Sequence, residues 1–482
     1  MYKLAYYITN ILIGLCFVQL LSYDSTIIKI FGLVLLIIHS FIIFHIFHDQ
    51  FLFILYILSQ CIMGTDDLLG GVTLAPLLIL ITYILFKGRV FVKDRFVSLC
   101  LLILFITDIL GYLIKNPAGL MDEIQSNVIF LSFILTFIFI QNVKFSVIQI
   151  KYLMKILTLL SVILFFVALN QKFVFIDSSI FLLGANPGYP SVSAVKFAFN
   201  DRCPSLFGDY ELFSEFALLM FILSFSLFMD KKSLSYFSLG STPFILMVFS
   251  FMNIVITVTR SGFILMFAFV FIFFLFRMGT LFSSKTLLLF SMLIILVPIL
   301  IQFGDVIGFD VIINRLIEVD YKNLSMSGLT SGEEINRGLV YAEGYNRLGE
   351  ENWILGYGYG TSFSNSVAWL GKLGPLGSNI KDFHSLYLCI PMIYGWIGGI
   401  TYLALIIYTI IILFKKSFLI DNYPFKGIML GFAFMFIFFL INEIKINSLR
   451  DYNYHFLIWI LLGFAVSIAN NKIKTENQFQ SV

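Results

Sequence analysis

Charge is the first thing this chain is short of. Only 12% of its 482 residues are Asp, Glu, Lys or Arg, about half the share of a soluble domain, too few to build a water-facing globular surface. Cysteine is sparse as well. Cys16, Cys61, Cys100, Cys203 and Cys389 lie mostly inside apolar runs, with no Cys-x-x-Cys and no Cys/His spacing. No metal site can be read from such a pattern, and a free thiol in an apolar run packs as a small hydrophobe. The formal net charge of +3 is too small to imply a nucleic-acid partner. The first apolar run, from Leu4 to Leu21, lacks a small-residue cleavage site and leads into another run, so it reads as a span rather than a signal peptide. Soluble domain, coiled coil and internal repeat are all missing from the pattern. So is period-two alternation, which argues against a closed barrel.

What is left is hydrocarbon. Hydrophobic residues make up 60% of the chain and aromatics 17%, with a mean hydropathy of +0.97. Apolar runs of about 16 to 22 residues recur along the chain, each long enough as a helix to cross a core of about 30 Å. The fold class expected is therefore an all-α polytopic membrane protein. Spans are expected near 4–21, 27–44, 51–64, 70–86, 96–114, 127–142, 153–169, 211–229, 241–258, 261–276, 286–303, 385–413, 425–441 and 452–468, about fourteen in all. Asp66 and Asp67 interrupt the third and fourth, where a re-entrant turn is the alternative.

Four regions follow. Residues 1–170 hold the N-terminal helices, and 171–303 the central helices with a first external loop. Residues 304–384 form a long external loop, and 385–482 the C-terminal helices and a tail. Orientation comes from the basic residues. With the N-terminus inside, Lys87, Arg89, Lys93, Arg95, Lys231, Lys232, Lys415, Lys416, Lys472 and Lys474 collect on the cytoplasmic side, and few remain on short external turns. Both termini are expected in the cytoplasm. Within the long loop, Glu334 to Leu348 has helical propensity and could lie along the membrane surface.

A few polar residues stand out against this background. Arg260, in TVTRSGF, sits between two apolar runs with almost no room for a turn. An arginine at membrane depth is costly and wants a partner or a polar cavity, the alternative being an interfacial anchor that snorkels to headgroups. Arg202 precedes a run carrying Glu211 and Glu215, four residues apart on one helix face; a local ion pair of Arg202 with Asp209 or Glu211 is its structural reading. Arg337 and Arg347 belong to the long loop, where a solvated role is the ordinary one. His384 stands just before an apolar helix, where an imidazole can exchange a proton near neutral pH or simply cap the helix. Gly356, Gly358 and Gly360 alternate with Tyr357 and Tyr359 as GYGYG. Without a strand-loop-helix context this is a tight turn, not a dinucleotide fingerprint. The two tyrosines could stack on sugar faces or sit in an interfacial aromatic belt.

In order and spacing, TVTRSGF, then an arginine in a long loop before NWILGYGYGTSF, then FHSLYLCIPMIYGWIGGI, resemble the O-antigen polymerase and O-antigen ligase superfamily. The likeness covers mainly residues 200–410. It departs from the usual pattern at Thr259, where serine is common, and at Ser385, where asparagine usually follows the histidine. The resemblance implies a glycosyltransferase architecture of the GT-C kind in the bacterial inner membrane. It also implies glycan transfer on the external face, with no metal and no cofactor. The donor would be an oligosaccharide on undecaprenyl pyrophosphate, and the acceptor another repeat unit or a lipid A core. A chain-length regulator and a flippase would be companions in the bilayer. On this resemblance Arg260 and Arg337 would hold the pyrophosphate and His384 would activate the acceptor. Arg202, Glu211, Tyr357 and Tyr359 would contact phosphate or glycan. Polymerase is the first expectation, ligase the second, and a lipid-linked-sugar flippase a remote third.

Overall fold

Long apolar runs in a medium without water must satisfy their backbone groups internally, and this chain does so as helices. The computed structural model describes residues 2–21, 25–63, 77–84, 94–115, 120–173, 202–276, 337–350, 353–359, 383, 385–419 and 424–470. In chain order the helices are α1 (Tyr2–Leu20), α2 (Thr26–Phe41), α3 (Gln50–Met63), α4 (77–84), α5 (Arg95–Lys115), α6 (Leu120–Asn142), α7 (Val147–Phe173) and α8 (Tyr210–Met229). They continue as α9 (Lys231–Tyr236), α10 (Thr242–Thr257), α11 (Arg260–Phe276), α12 (Arg337–Glu350), α13 (Leu386–Leu419), α14 (Lys426–Asn442) and α15 (Tyr452–Asn470).

The protein is an all-α membrane protein. Among the described residues, six helices are long and apolar enough to cross a membrane: α1, α2 with its π-helical extension to Ile46, α7, α8, α13 and α15. Shorter apolar helices accompany them, including α3, α10, α11 and α14. Each expected span falls on a helix, except that 286–303 lies outside the described residues and 70–86 is described only over 77–84. Fourteen full-length crossings are thus not what the described residues contain. Asp66 and Asp67 lie outside them too. Of the segment expected to be helical, Glu334 to Leu348, residues 334–336 lie outside the described residues and the rest falls within α12, Arg337–Glu350.

The helices α8 and α15 form the centre, almost wholly enclosed, whereas α1 and α2 are largely exposed on their outer faces. α8 packs on α10 and α14, α10 on α7, α14 on α13, α13 on α5, and α15 on α6. Helices in lipid gain little from hydrophobic transfer, so their contacts rest on van der Waals fit. Phenylalanine supplies much of it: Phe225, Phe269, Phe273, Phe434 and Phe438 interlock with ring centroids 5.2 to 5.9 Å apart, in the tilted and edge-on arrangements that the ring quadrupole favours.

One helix is broken and repaired from outside. Inside α13, Pro391 lacks an N–H, and Gly395 leaves helical geometry at φ 71° and ψ 173°, a region that a side chain disfavours. The segment 353–358 restores the lost bonds. The Tyr357 N–H donates to the Met392 carbonyl at 2.8 Å, the Gly358 N–H to Ile393 at 2.9 Å, and the Trp396 N–H to Trp353 at 2.7 Å. Such close approach of two backbones needs glycine at the contact. A Cβ on Gly356 would overlap the Ile393 carbonyl and the Gly395 nitrogen. Gly356→Val is therefore expected to lower the thermal midpoint in detergent by several degrees, through an overpacking cost of about 1–3 kcal/mol. Gly349→Ala, where an added Cβ meets nothing, is the control expected to leave the midpoint unchanged.

Candidate functional site

The junction between α10 and α11 explains how two apolar runs meet without a loop. Val258, fully buried, takes a left-handed conformation at φ 53° and ψ 34°, which costs a β-branched residue on the order of 1–3 kcal/mol. That reversal lets Arg260 become the first residue of α11. Its side chain is 8% exposed. Around it the Thr259 hydroxyl bonds to that of Ser214 on α8 and, at 3.1 Å, to that of Thr257. A guanidinium at a helix N-terminus adds its charge to the positive pole of the backbone, an arrangement that attracts anions.

The N-terminus of α8 lies beside this junction. Gly208, at φ 70°, turns the chain, and Asp209 caps the helix, its Oδ1 accepting from the N–H groups of Glu211 and Leu212 at 2.7 and 3.1 Å. The second Asp209 oxygen holds Arg450 at 2.6 Å, and the same guanidinium nitrogen reaches Glu211 Oε2 at 3.1 Å. Lys445 is 3.8 Å from the other Glu211 oxygen. The expected local pair of Arg202 with Asp209 or Glu211 is thus replaced by a partner from the far end of the chain. Arg202 instead places its guanidinium 4.6 Å from the centre of the Tyr210 ring, a cation–π contact. Glu215, one turn further along α8, accepts from Asn442 Nδ2 at 2.5 Å and from the Tyr454 hydroxyl at 2.9 Å.

Between α14 and α15 a polar turn closes the same end of the bundle. Glu443 is fully buried; its Oε2 accepts from the backbone N–H and hydroxyl of Ser448, both at 3.0 Å. Burial, and then the neighbouring Glu215 carboxylate, hold the Glu443 carboxyl well above the usual carboxylate range, which favours the neutral acid. The main chain of this turn anchors the start of α13, since the Leu386 N–H donates to the carbonyls of Glu443 and Ile446 at 3.0 and 2.9 Å. His384 itself lies outside the described residues, but Phe383 and Ser385 on either side of it are buried here. Arg337 opens α12. That helix lies over the start of α13, with Gly344 against Phe383 and Leu388, and its Tyr341 hydroxyl donates to the Ile444 carbonyl at 3.3 Å.

The two tyrosines of GYGYG fare differently. Tyr357 is half-buried, its ring 5.8 Å from that of Trp353. Tyr359 is enclosed: its ring stacks on Tyr394 at 6.1 Å and meets Phe130, Phe133, Tyr452 and His455, while its N–H donates to Asp108 Oδ1 at 2.6 Å. Its faces are used for packing. His455 accepts from the Trp459 indole N–H at 3.0 Å through Nε2, which assigns the neutral tautomer with the proton on Nδ1.

Arg260, Glu211, the helix opened by Arg337 and the residues flanking His384 are therefore carried by elements that meet at one end of the bundle. Sequence reasoning missed Arg450, Glu443 and Asp108. Asp108 had a usable signal, a lone carboxylate inside the apolar run LLILFITDILGY. Arg450 and Glu443 sat in NEIKINSLRDYNYH, whose charges read as an ordinary external turn. Among the described residues, no three His, Cys, Asp or Glu side chains group so as to hold a metal ion.

No curated protein matches the chain. Residues 245–403, from α10 through Arg260 and α12 to the repaired break in α13, match the model of a family described as O-antigen ligase. Over this third of the chain the sequence is thus similar to the O-antigen ligase family, in agreement with the motif order.

Proposed function

We propose that the protein polymerises oligosaccharide repeat units carried on undecaprenyl pyrophosphate, at the external face of the bacterial inner membrane. The observation that carries this reading is the convergence, on one end of the bundle, of the buried Arg260 with the helix starts that follow His384 and Arg337. The acceptor hydroxyl attacks the anomeric carbon of the donor glycan, a new glycosidic C–O bond forms, and the bond to pyrophosphate breaks. Undecaprenyl pyrophosphate leaves with the negative charge. Guanidinium groups of Arg260 and Arg337 suit its oxygens as bidentate donors, and they act most strongly where water is excluded. His384 takes the hydroxyl proton. The phenylalanine-rich face of α11 and the isoleucine-rich face of α13 offer the lipid tail an apolar path, and the exposed side chains Phe267, Phe271 and Ile400 support it.

A second reading has its own support, because the family model is described as O-antigen ligase. In that reading the acceptor is a lipid A core and the donor a finished polymer. Gel analysis of surface glycan from a deletion strain separates the two. Single-repeat caps on the core are expected for a polymerase; free lipid-linked polymer accumulating without capped core would overturn that reading in favour of the ligase.

A further inference from the structure

Arg450 belongs to none of the motifs that carry the family likeness, yet it joins two carboxylates at the polar end. Its guanidinium lies 2.6 Å from Asp209 and 3.1 Å from Glu211, with side-chain exposure of only 11%. On one side of it stands the first turn of α8, whose Ser214 hydroxyl bonds to Thr259 beside Arg260. On the other stands the turn 443–451, whose Glu443 and Ile446 carbonyls hold the Leu386 N–H two residues after His384. Asn442 and Tyr454, on either flank of that turn, both reach Glu215 of α8, so the two sides have several links. Among the described residues two of these links are ionic: Lys445 lies 3.8 Å from Glu211, and Arg450 makes the closer contacts, shared by two carboxylates from one helix terminus.

We propose that Arg450 is a positioning residue: it ties the α8 terminus, and through it the Arg260 junction, to the turn that seats the start of α13. It thereby keeps the donor-holding and acceptor-activating halves of the site in register. The proposal rests on the transfer reaction given above. A guanidinium already committed to two carboxylates is poorly disposed to bind pyrophosphate, because those carboxylates offset its charge where the phosphate would lie. Displacement of reacting groups by about 1 Å is enough to cost on the order of a hundredfold in rate.

The test uses the full chain in lipid nanodiscs. Donor binding and glycan extension are measured separately for wild type, Arg450→Met, Arg450→Lys, Glu211→Gln and the double variant Arg450→Met with Glu211→Gln. Arg450→Met is expected to lose about a hundredfold in turnover while donor affinity stays within about twofold, and Arg450→Lys should recover part of the loss. The double variant should lose less than the sum of the two single losses, because Arg450 and Glu211 share one contact while each also has a partner of its own. Glu211→Gln, a near-isosteric change, answers the question should Arg450→Met fail to fold. Loss of donor binding in step with turnover would make Arg450 a phosphate ligand and overturn the positioning role. So would additive losses in the double variant. A readout independent of activity is the distance between spin labels at Ser261 and Ile444, in a background free of other cysteines. It is expected to be narrow in the wild type and broad in Arg450→Met and Glu211→Gln. If the wild type extends no glycan, the functional reading falls while the label distances still decide the bridge, and an unbroadened distribution in the variants would sink it.

Discussion

Arg260→Ala is expected to abolish glycan extension while the protein still inserts and accumulates in the membrane. The side chain is buried at the first position of α11, so its removal takes a cation from a site where charge is worth most. Loss of one positioned donor to a developing anion costs about 10² to 10³ in rate in comparable chemistry, and a leaving group of several charges loses more. Arg260→Lys should restore a fraction only, since an ammonium supplies a point charge without the fork that grips two oxygens. Extension is followed by gel analysis of lipid-linked glycan in membranes carrying each variant at matched levels. Full activity in Arg260→Ala would leave the side chain with no more than an anchoring role at the interface.

The second large effect concerns His384. His384→Ala is expected to lower turnover by about 10² to 10⁴, the range for a lost general base, with donor binding retained because the arginines still hold the pyrophosphate. His384→Gln separates two roles. If the imidazole accepts the proton, glutamine is as slow as alanine, and the residual activity loses the acid limb of its pH profile. If the imidazole only positions the acceptor, glutamine keeps much of the rate and the profile is unmoved. Wild-type polymer made by His384→Ala would remove the residue from the chemistry. Equal loss of donor binding and turnover would assign it to the phosphate site.

The helical scaffold was legible in the sequence because each span is encoded locally: an apolar run of sufficient length has no other low-energy form in a bilayer. The α10–α11 junction was legible for a related reason, as TVTRSGF leaves no room for a loop and forces Arg260 to a helix terminus. Pairings across long separations were not. Arg202 is near Asp209 and Glu211 in the chain and was the natural partner to expect, yet the carboxylates face Arg450, which the turn between α14 and α15 brings alongside. Nothing local distinguishes the two arginines. Tyr359 illustrates the same limit, since a tyrosine between glycines reads as loop, and only the docking of 353–359 beside α5 and α13 shows it to be core.

The repaired break in α13 also bears on how the protein is made. A membrane helix normally leaves the translocation machinery with its backbone already satisfied, but here the carbonyls of Met392 and Ile393 receive their donors from residues 357 and 358. An unsatisfied backbone group in hydrocarbon costs several kcal/mol. The first turns of α13 are therefore poor candidates for release into lipid by themselves. Residues 353–358 are synthesised earlier and must fold back to meet the helix as it enters, so segment and helix mature as one unit. Biogenesis of this region is then a folding reaction in its own right, completed after translation has passed α13, and the glycines at 356 and 395 are as much requirements of assembly as of the finished site.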